Sequence, residues 1–75
     1  MNKAKRRRLN EANILLLRTL NIIENIKDDE ETTFYNMPEN LQGSERGYNM
    51  ENNVDVLEEA IDYLNDALYN MEQVV

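Results

Sequence analysis

A single stretch, residues 36–47, holds the only proline and both glycines of this 75-residue sequence. Proline lacks a backbone N–H donor and clashes with the preceding helical turn, so a helix is predicted to end near Met37, just before Pro38. Segments with the apolar periodicity of a helix extend from both sides of the stretch. The stretch is therefore predicted to be the bend of an antiparallel helical hairpin, an all-α fold.

The residues after the first helix predict how this bend is built. Pro38 suits the start of a single helical turn over residues 38–41, with Asn36 as its N-cap. Leu41 is expected to hold this turn against the two helices. Gly43 permits a positive φ angle, which would let the chain turn towards the second helix.

Ser44 is the preferred N-cap of the second helix, because its hydroxyl can accept a hydrogen bond from the first helical turn. Glu45 then lies at the positive end of the helix dipole, where a carboxylate is stabilising. Asn49 is the competing cap, since Gly47 would weaken a helix that begins at Ser44 by about 1 kcal/mol.

The predicted boundaries are a first helix over about residues 2–37, a connector over 38–43 and a second helix over about 44–74. At 1.5 Å per residue the two arms would be about 50 and about 45 Å long, so they match in length. Residues 1–75 therefore form one helical-hairpin domain. The candidate core and dimer-interface residues are Leu16, Leu20, Ile23 and Phe34 on the first helix and Val54, Leu57, Ile61, Leu64, Leu68 and Met71 on the second.

The second helix carries the clearest pattern, because its apolar residues follow the alternating spacing of four and three that is typical of coiled coils. The first helix is less regular. Glu30 occupies a position where its stripe calls for an apolar residue, and it lies within the acidic run 28–31. A bend, fraying or looser packing is predicted there.

The apolar surface of both helices is broader than a contact between two helices requires. Residues 14–17 are apolar around most of one helical turn, and a second strip runs beside the seam of the second helix. The sequence has no cysteine for a disulfide, and it lacks both cysteine and histidine for a zinc site. Self-association of two hairpins into a four-helix bundle is therefore predicted. The strip consists of Val56, Ala60, Tyr63, Ala67 and Val74.

The formal net charge of −7 is unevenly distributed, because five of the eight bases lie in a basic N-terminal segment, residues 1–8, which can fray. This cluster could bind nucleic-acid phosphates, although the acidic remainder of the chain would repel a duplex. In a hairpin it would also lie beside Asp66 and Glu72 of the second helix. The candidate anion-binding residues are Lys3, Lys5, Arg6, Arg7 and Arg8.

Catalysis by a cysteine or by a serine–histidine pair is excluded, because neither cysteine nor histidine is present. Carboxylates remain, and Glu51, Asp55, Glu58 and Asp62 share one face of the second helix. Hard cations take oxygen ligands, but a solvated acidic face explains this row equally well. We therefore expect no enzymatic activity and no cofactor.

The acidic row is also the best candidate surface for a protein partner. Tyrosine offers a large, rigid contact area, so exposed tyrosines near the row extend the candidate surface. An alternative is that the row imitates a nucleic-acid backbone and inhibits a nucleic-acid enzyme. The candidate partner-binding residues are Glu45, Arg46, Tyr48, Glu51, Asp55, Glu58, Asp62 and Tyr69.

No apolar run approaches the roughly 20 residues that a transmembrane helix needs. Polar residues at positions 10, 11 and 13 interrupt the segment that would form the core of a signal peptide. We therefore expect a soluble, cytoplasmic protein that does not associate with a membrane.

The bend is similar to the core of a group of small, uncharacterised bacterial and phage proteins built from two helices. Their connector reads Asn-Leu/Met-Pro-Glu-Ser/Asn-Leu-Gln-x-Ser-Glu-Arg-Gly, and Tyr48 follows it here where these proteins often carry glutamate or glutamine. The resemblance implies the two-helix architecture and a phage or mobile-element origin, and it assigns a function to no residue. The matching residues are Asn36, Met37, Pro38, Glu39, Asn40, Leu41, Gln42, Ser44, Glu45, Arg46 and Gly47.

Overall fold

The computed structural model describes all 75 residues, and it contains three helices and no strand. Helix α1 spans Lys3–Tyr35, the single turn α2 spans Glu39–Gln42, and α3 spans Glu45–Glu72. α1 packs along α3 as a hairpin with extents of 58 × 15 × 13 Å. The predicted all-α hairpin is therefore confirmed, and each long helix ends about two residues earlier than predicted.

α1 begins where the Asn2 side chain accepts a hydrogen bond from the Lys5 backbone N–H at 2.8 Å. The helix continues unbroken through the acidic run 28–31, so the prediction of a bend or fraying there is wrong. Two ion pairs offset the local repulsion, because Lys27 Nζ lies 3.0 Å from the Asp28 carboxylate and 3.7 Å from that of Glu31.

The bend contains the predicted proline stop and single helical turn, but two details differ. Asn36 is the C-cap of α1, whereas the N-cap of α2 is Pro38, which has no side chain able to accept a hydrogen bond. Gly43 has a φ angle of −84°, so the predicted positive φ is wrong. Leu41 remains 45% exposed and does not hold the turn in place as predicted.

Gln42 holds the turn instead. Its Nε2 donates to the backbone carbonyl oxygens of Phe34, at 3.3 Å, and Met37, at 3.1 Å. These carbonyls lie at and just beyond the C-terminal end of α1, where helical partners run out. The Phe34 carbonyl also accepts from the Met37 backbone N–H at 3.1 Å. The side chain therefore ties α2 to the end of α1.

The start of α3 is built as predicted, with Ser44 as its N-cap. The Ser44 hydroxyl accepts a hydrogen bond from the Gly47 backbone N–H at 3.3 Å and donates to the Leu41 carbonyl oxygen. Gly47 is one of three buried residues in the chain. The backbone of Gln42 occupies the space where a side chain at position 47 would begin, so only glycine fits there without a shift.

α1 and α3 contact each other along a long row of apolar side chains, which we call the seam. Few of these side chains are fully buried. Leu20 and Phe34 are the only buried hydrophobic side chains, at 6% and 8% exposure. One side-chain hydrogen bond joins α1 to α3: Asn53 Nδ2 donates to Glu30 Oε2 at 2.9 Å. The half-buried residues of the seam include Leu16, Ile23, Val54, Leu57, Ile61, Leu64, Leu68 and Met71.

The single hairpin exposes more surface than a compact protein of its mass. Its accessible area is 5953 Å², against about 4,800 Å² expected for an 8.9 kDa monomer. Its radius of gyration is 17.2 Å, against about 11 Å for a compact chain of this length. None of its helices combines the length and the apolar content that crossing a membrane requires.

Candidate interaction surfaces

The first surface consists of two apolar stripes beside the seam. On α1, Leu15, Ile22 and Ile26 repeat at intervals of seven and four, so they share one side of the helix, and all three are exposed. On α3 the corresponding stripe repeats at intervals of four, three and four. Its members are Val56, Ala60, Tyr63 and Ala67.

Both stripes lie on the same side of the hairpin. Ile26 of α1 and Val56 of α3 line one open groove, together with the hydrogen-bonded pair Glu30 and Asn53. We call the surface formed by Leu15, Ile22, Ile26, Val56, Ala60, Tyr63 and Ala67 the apolar face. It has no covering element within the hairpin, because α2 packs only at the bend.

The second surface is an acidic groove on the opposite side of the seam, near the bend. Phe34 and Val54 form its apolar floor, and four carboxylates surround them. Tyr35 adds an exposed aromatic ring that meets the Phe34 ring edge-on, with 5.5 Å between the ring centroids. We call this site the acidic groove, lined by Glu31, Phe34, Tyr35, Glu51, Val54, Asp55 and Glu58.

The acidic groove continues around the bend. Phe34 and Glu51 also line a neighbouring depression, which contains Glu39 of α2 and Tyr48 of α3. Asp62 is exposed one turn beyond Glu58 on the same row. The structure therefore brings Tyr48 and the predicted acidic row to one side of the hairpin.

Other predicted partner-binding residues lie apart from the groove. Tyr69 borders a separate depression near the open end of the hairpin, where Leu17 is also exposed. Glu45 and Arg46 are exposed in the first turn of α3 and form no ion pair.

The helix α1 contributes two groove residues that the sequence interpretation missed, Glu31 and Tyr35. Both lie on one side of the seam. The residues of α3 that they face depend on how the two helices are aligned, and the sequence does not specify that alignment. Their spacing of four residues was the available signal, because it places them on the same side of α1.

The basic cluster, Lys3, Lys5, Arg6, Arg7 and Arg8, occupies the first turns of α1 at the open end of the hairpin. All five side chains are exposed, and none forms an ion pair within the chain. The expected neighbours Asp66 and Glu72 therefore do not pair with the cluster. The N-terminal ammonium instead donates to the Val75 carbonyl oxygen at 3.2 Å.

Lys27 lies beside Glu31 of the acidic groove and pairs with carboxylates of α1. A hydrogen bond to Asp28 and the nearby charges of Asp28 and Glu31 raise the pKa of the Lys27 ammonium above its ordinary value. The charge of Glu58 acts in the same direction across the seam. The Lys27 ammonium therefore partly neutralises the negative charge on this side of the hairpin.

The carboxylates of the acidic row point outwards along one helix. Nowhere in the hairpin do three or more such side chains come together in an arrangement that could hold a metal ion. The groove offers negative charge beside aromatic rings, which suits contact with a cationic surface.

No protein-family model, curated protein or solved structure shows significant similarity to this chain. Its function is therefore inferred from the geometry and charge of the two surfaces.

Proposed function

We propose that this chain is a non-enzymatic protein–protein interaction module that dimerises into a four-helix bundle. The apolar faces of two hairpins would form the centre of the bundle, and each acidic groove would stay on the outside for a partner protein. The observation that carries the proposal is the placement of two exposed apolar stripes on one side of the hairpin and of the acidic groove on the other.

Burial of the apolar face would supply the driving force for association. Its large side chains on α1 are at least half exposed in the single hairpin. Removal of apolar surface from water contributes about 25 cal/mol per Å². A chain of this size buries little surface by itself and has no disulfide, so a second copy would add the missing core.

Light scattering during size-exclusion chromatography tests the dimer. The expected mass at micromolar concentration is twice the 8.9 kDa of the chain. Ile22→Glu places a charge in the apolar face and should raise the dimer dissociation constant at least about tenfold. A monomeric mass for the unaltered protein at all concentrations would refute the proposal.

Ile14→Glu is the matched control for this experiment. Ile14 and Ile22 belong to the same helix and are similarly exposed, at 54% and 59%. Ile14 lies about 80° around the helix from Ile22 and about 100° from Leu15, on the outward side. Its substitution should leave the dimer intact, and equal weakening by both variants would contradict the assigned face.

The partner at the acidic groove would be a protein with a basic, Lys/Arg-rich segment. Complementary charge favours such an encounter, and the exposed rings of Tyr35 and Tyr48 would add cation–π and apolar contacts. The resemblance of the bend to small bacterial and phage proteins supports a role as a phage- or mobile-element-encoded modulator of a host protein.

A nucleic-acid-directed function is the second candidate, favoured by the five exposed, unpaired bases of α1. Successive residues are 100° apart around a helix, so these bases surround α1 and do not form one stripe along it. Anisotropy of a labelled duplex tests this function at low and moderate salt. Affinity that falls steeply with salt and is lost in the Arg6→Gln, Arg7→Gln, Arg8→Gln variant would support it.

A further inference from the structure

The two ends of the hairpin differ sharply in charge. The half nearest the bend, residues 27–56, carries eight acids and two bases, whereas the remaining residues carry seven acids and six bases, five of which lie unpaired within residues 3–8. A second hairpin can align along the apolar face with its bend at the same end or at the opposite end. If both bends lie at the same end, the acidic half of one copy packs against the acidic half of the other.

We infer that two copies join their apolar faces with their bends at opposite ends of the bundle. This inference rests on the proposed dimer and specifies its geometry. The basic cluster of each copy would then lie beside the acidic half of the other copy. Opposite charges attract at these separations, although salt weakens the effect beyond about 10 Å.

Glu30 provides a local reason for this orientation. It is half-buried and lines the groove with Ile26 and Val56, so it would point towards the centre of a four-helix bundle. With the bends at the same end, the two-fold axis would run along the bundle and bring Glu30 level with the partner's Glu30. Two carboxylates at one level of a bundle interior repel each other strongly.

Reversing the partner separates the two Glu30 carboxylates. The α1 stripe of the apolar face is centred between residues 20 and 21, so reversal about that point brings Glu30 level with Glu11 of the second copy, an exposed side chain at the rim of the face. The partner's Arg8 lies less than one turn away. Arg8 precedes Leu15 by seven residues and therefore continues the same stripe. An arginine side chain is long enough to reach Glu30 from there.

The reversed arrangement has two unfavourable contacts, because it brings Glu59 near the partner's Asp66 and Glu30 near the partner's Glu11. Glu11, Glu59 and Asp66 are all exposed at the rim of the apolar face. Charge interactions between exposed groups are typically worth no more than about 1 kcal/mol. The carboxylate pair at the bundle centre is therefore the stronger determinant of orientation.

Distances between spin labels on the full-length chain test this inference. The chain has no cysteine, so each introduced cysteine is the only labelling site. Gly43→Cys places a label at the bend, where an added side chain meets no atom within 4 Å. With bends at opposite ends of a bundle as long as this 58 Å hairpin, the labels should lie about 50 Å apart. Bends at the same end would give about 20–30 Å, which would overturn the inferred orientation.

Two further labels make the outcome unambiguous. Mixing Gly43→Cys protein with Val75→Cys protein should give a short distance, because the bend of one copy would lie beside the chain terminus of the other. Asn21→Cys, near the middle of α1, gives a short distance in either orientation and so reports dimer formation alone. Loss of every intermolecular distance would refute the dimer, whereas a short Gly43–Gly43 distance would refute only its orientation.

Discussion

Gly47 lies against the backbone of Gln42, so closely that a Cβ atom at position 47 would stand 2.6 Å from the Gln42 carbonyl carbon. This approach lets α3 begin directly beside α2. The Gln42 side chain meanwhile binds two carbonyl groups at the end of α1. Gln42, before Ser44, and Gly47, after it, therefore hold the bend together.

Gly47→Ala should destabilise the hairpin. The added methyl group overlaps a backbone that has little freedom to move, and overpacking of this kind typically lowers the free energy of unfolding by about 1–3 kcal/mol. Gly43→Ala is the control, because its φ of −84° suits any residue and its surroundings are open. It should leave stability unchanged or raise it by up to about 1 kcal/mol. Urea unfolding at one fixed protein concentration measures both, and equal effects would contradict the assignment.

Gln42→Ala should also destabilise the bend, by about 1 kcal/mol, because the Met37 carbonyl loses its donor and the Phe34 carbonyl keeps only the Met37 backbone N–H. The matched control is Asn40→Ala, two residues earlier in the same turn. The Asn40 side chain is exposed and forms no hydrogen bond, so its loss should change stability by less than about 0.5 kcal/mol. A Gln42→Ala variant as stable as the Asn40→Ala variant would show that these hydrogen bonds add nothing.

Removal of charge from the acidic groove should weaken binding of a protein partner while the dimer persists. The test variant combines Glu51→Gln, Asp55→Asn and Glu58→Gln, which removes three charges and retains the shape of the side chains. Affinity capture from a lysate of the source cells, followed by measurement of the dissociation constant of the captured protein, reports the effect. We expect at least a tenfold loss of affinity, about 1.4 kcal/mol.

The control for the groove variant carries the same change in net charge at sites outside the groove. It combines Glu11→Gln, Glu59→Gln and Asp66→Asn, all of which are exposed. If this variant loses the partner as completely as the groove variant does, overall charge determines binding and the groove assignment is wrong.

Stability should fall at alkaline pH as Lys27 loses its proton. Hydrogen bonding to Asp28 and the charges of Asp28 and Glu31 raise the pKa of Lys27 in the folded state. Its contribution is therefore complete below the unfolded-state pKa of about 10.4 and disappears as the pH rises through the higher folded-state value. Lys27→Gln should reduce the loss of stability between pH 9 and 12, in proportion to this contribution. An identical pH profile in the variant would refute the coupling.

The start and end of the bend were predictable because they depend on local chemistry. Pro38 stops a helix wherever it occurs, and Ser44 caps a helix through its own hydroxyl. The roles of the two glycines were not predictable, because they depend on how close separate segments come. Gly43 has an ordinary φ angle, whereas Gly47 is required by the approach of Gln42.

The candidate surfaces were predictable only within each helix. The acidic row on α3 follows from spacing alone, and so does the α1 stripe through Leu15 and Ile22. That Glu31 and Tyr35 face the acidic row, and that Ile26 lies beside Val56, depends on how far one arm is shifted along the other. A regular coiled-coil pattern does not specify that shift, since it repeats itself every seven residues.

The hydrogen bond between Asn53 and Glu30 selects one alignment from these repeats. Sliding α3 by seven residues would place Ala60 or Arg46 where Asn53 now lies. Ala60 would deprive the Glu30 carboxylate of its donor, and Arg46 would draw the start of α3 into the seam. The polar pair thus distinguishes one alignment of the two helices from the others that the repeating apolar pattern would allow. It gives up some apolar contact at that level and fixes which residues of the two arms meet.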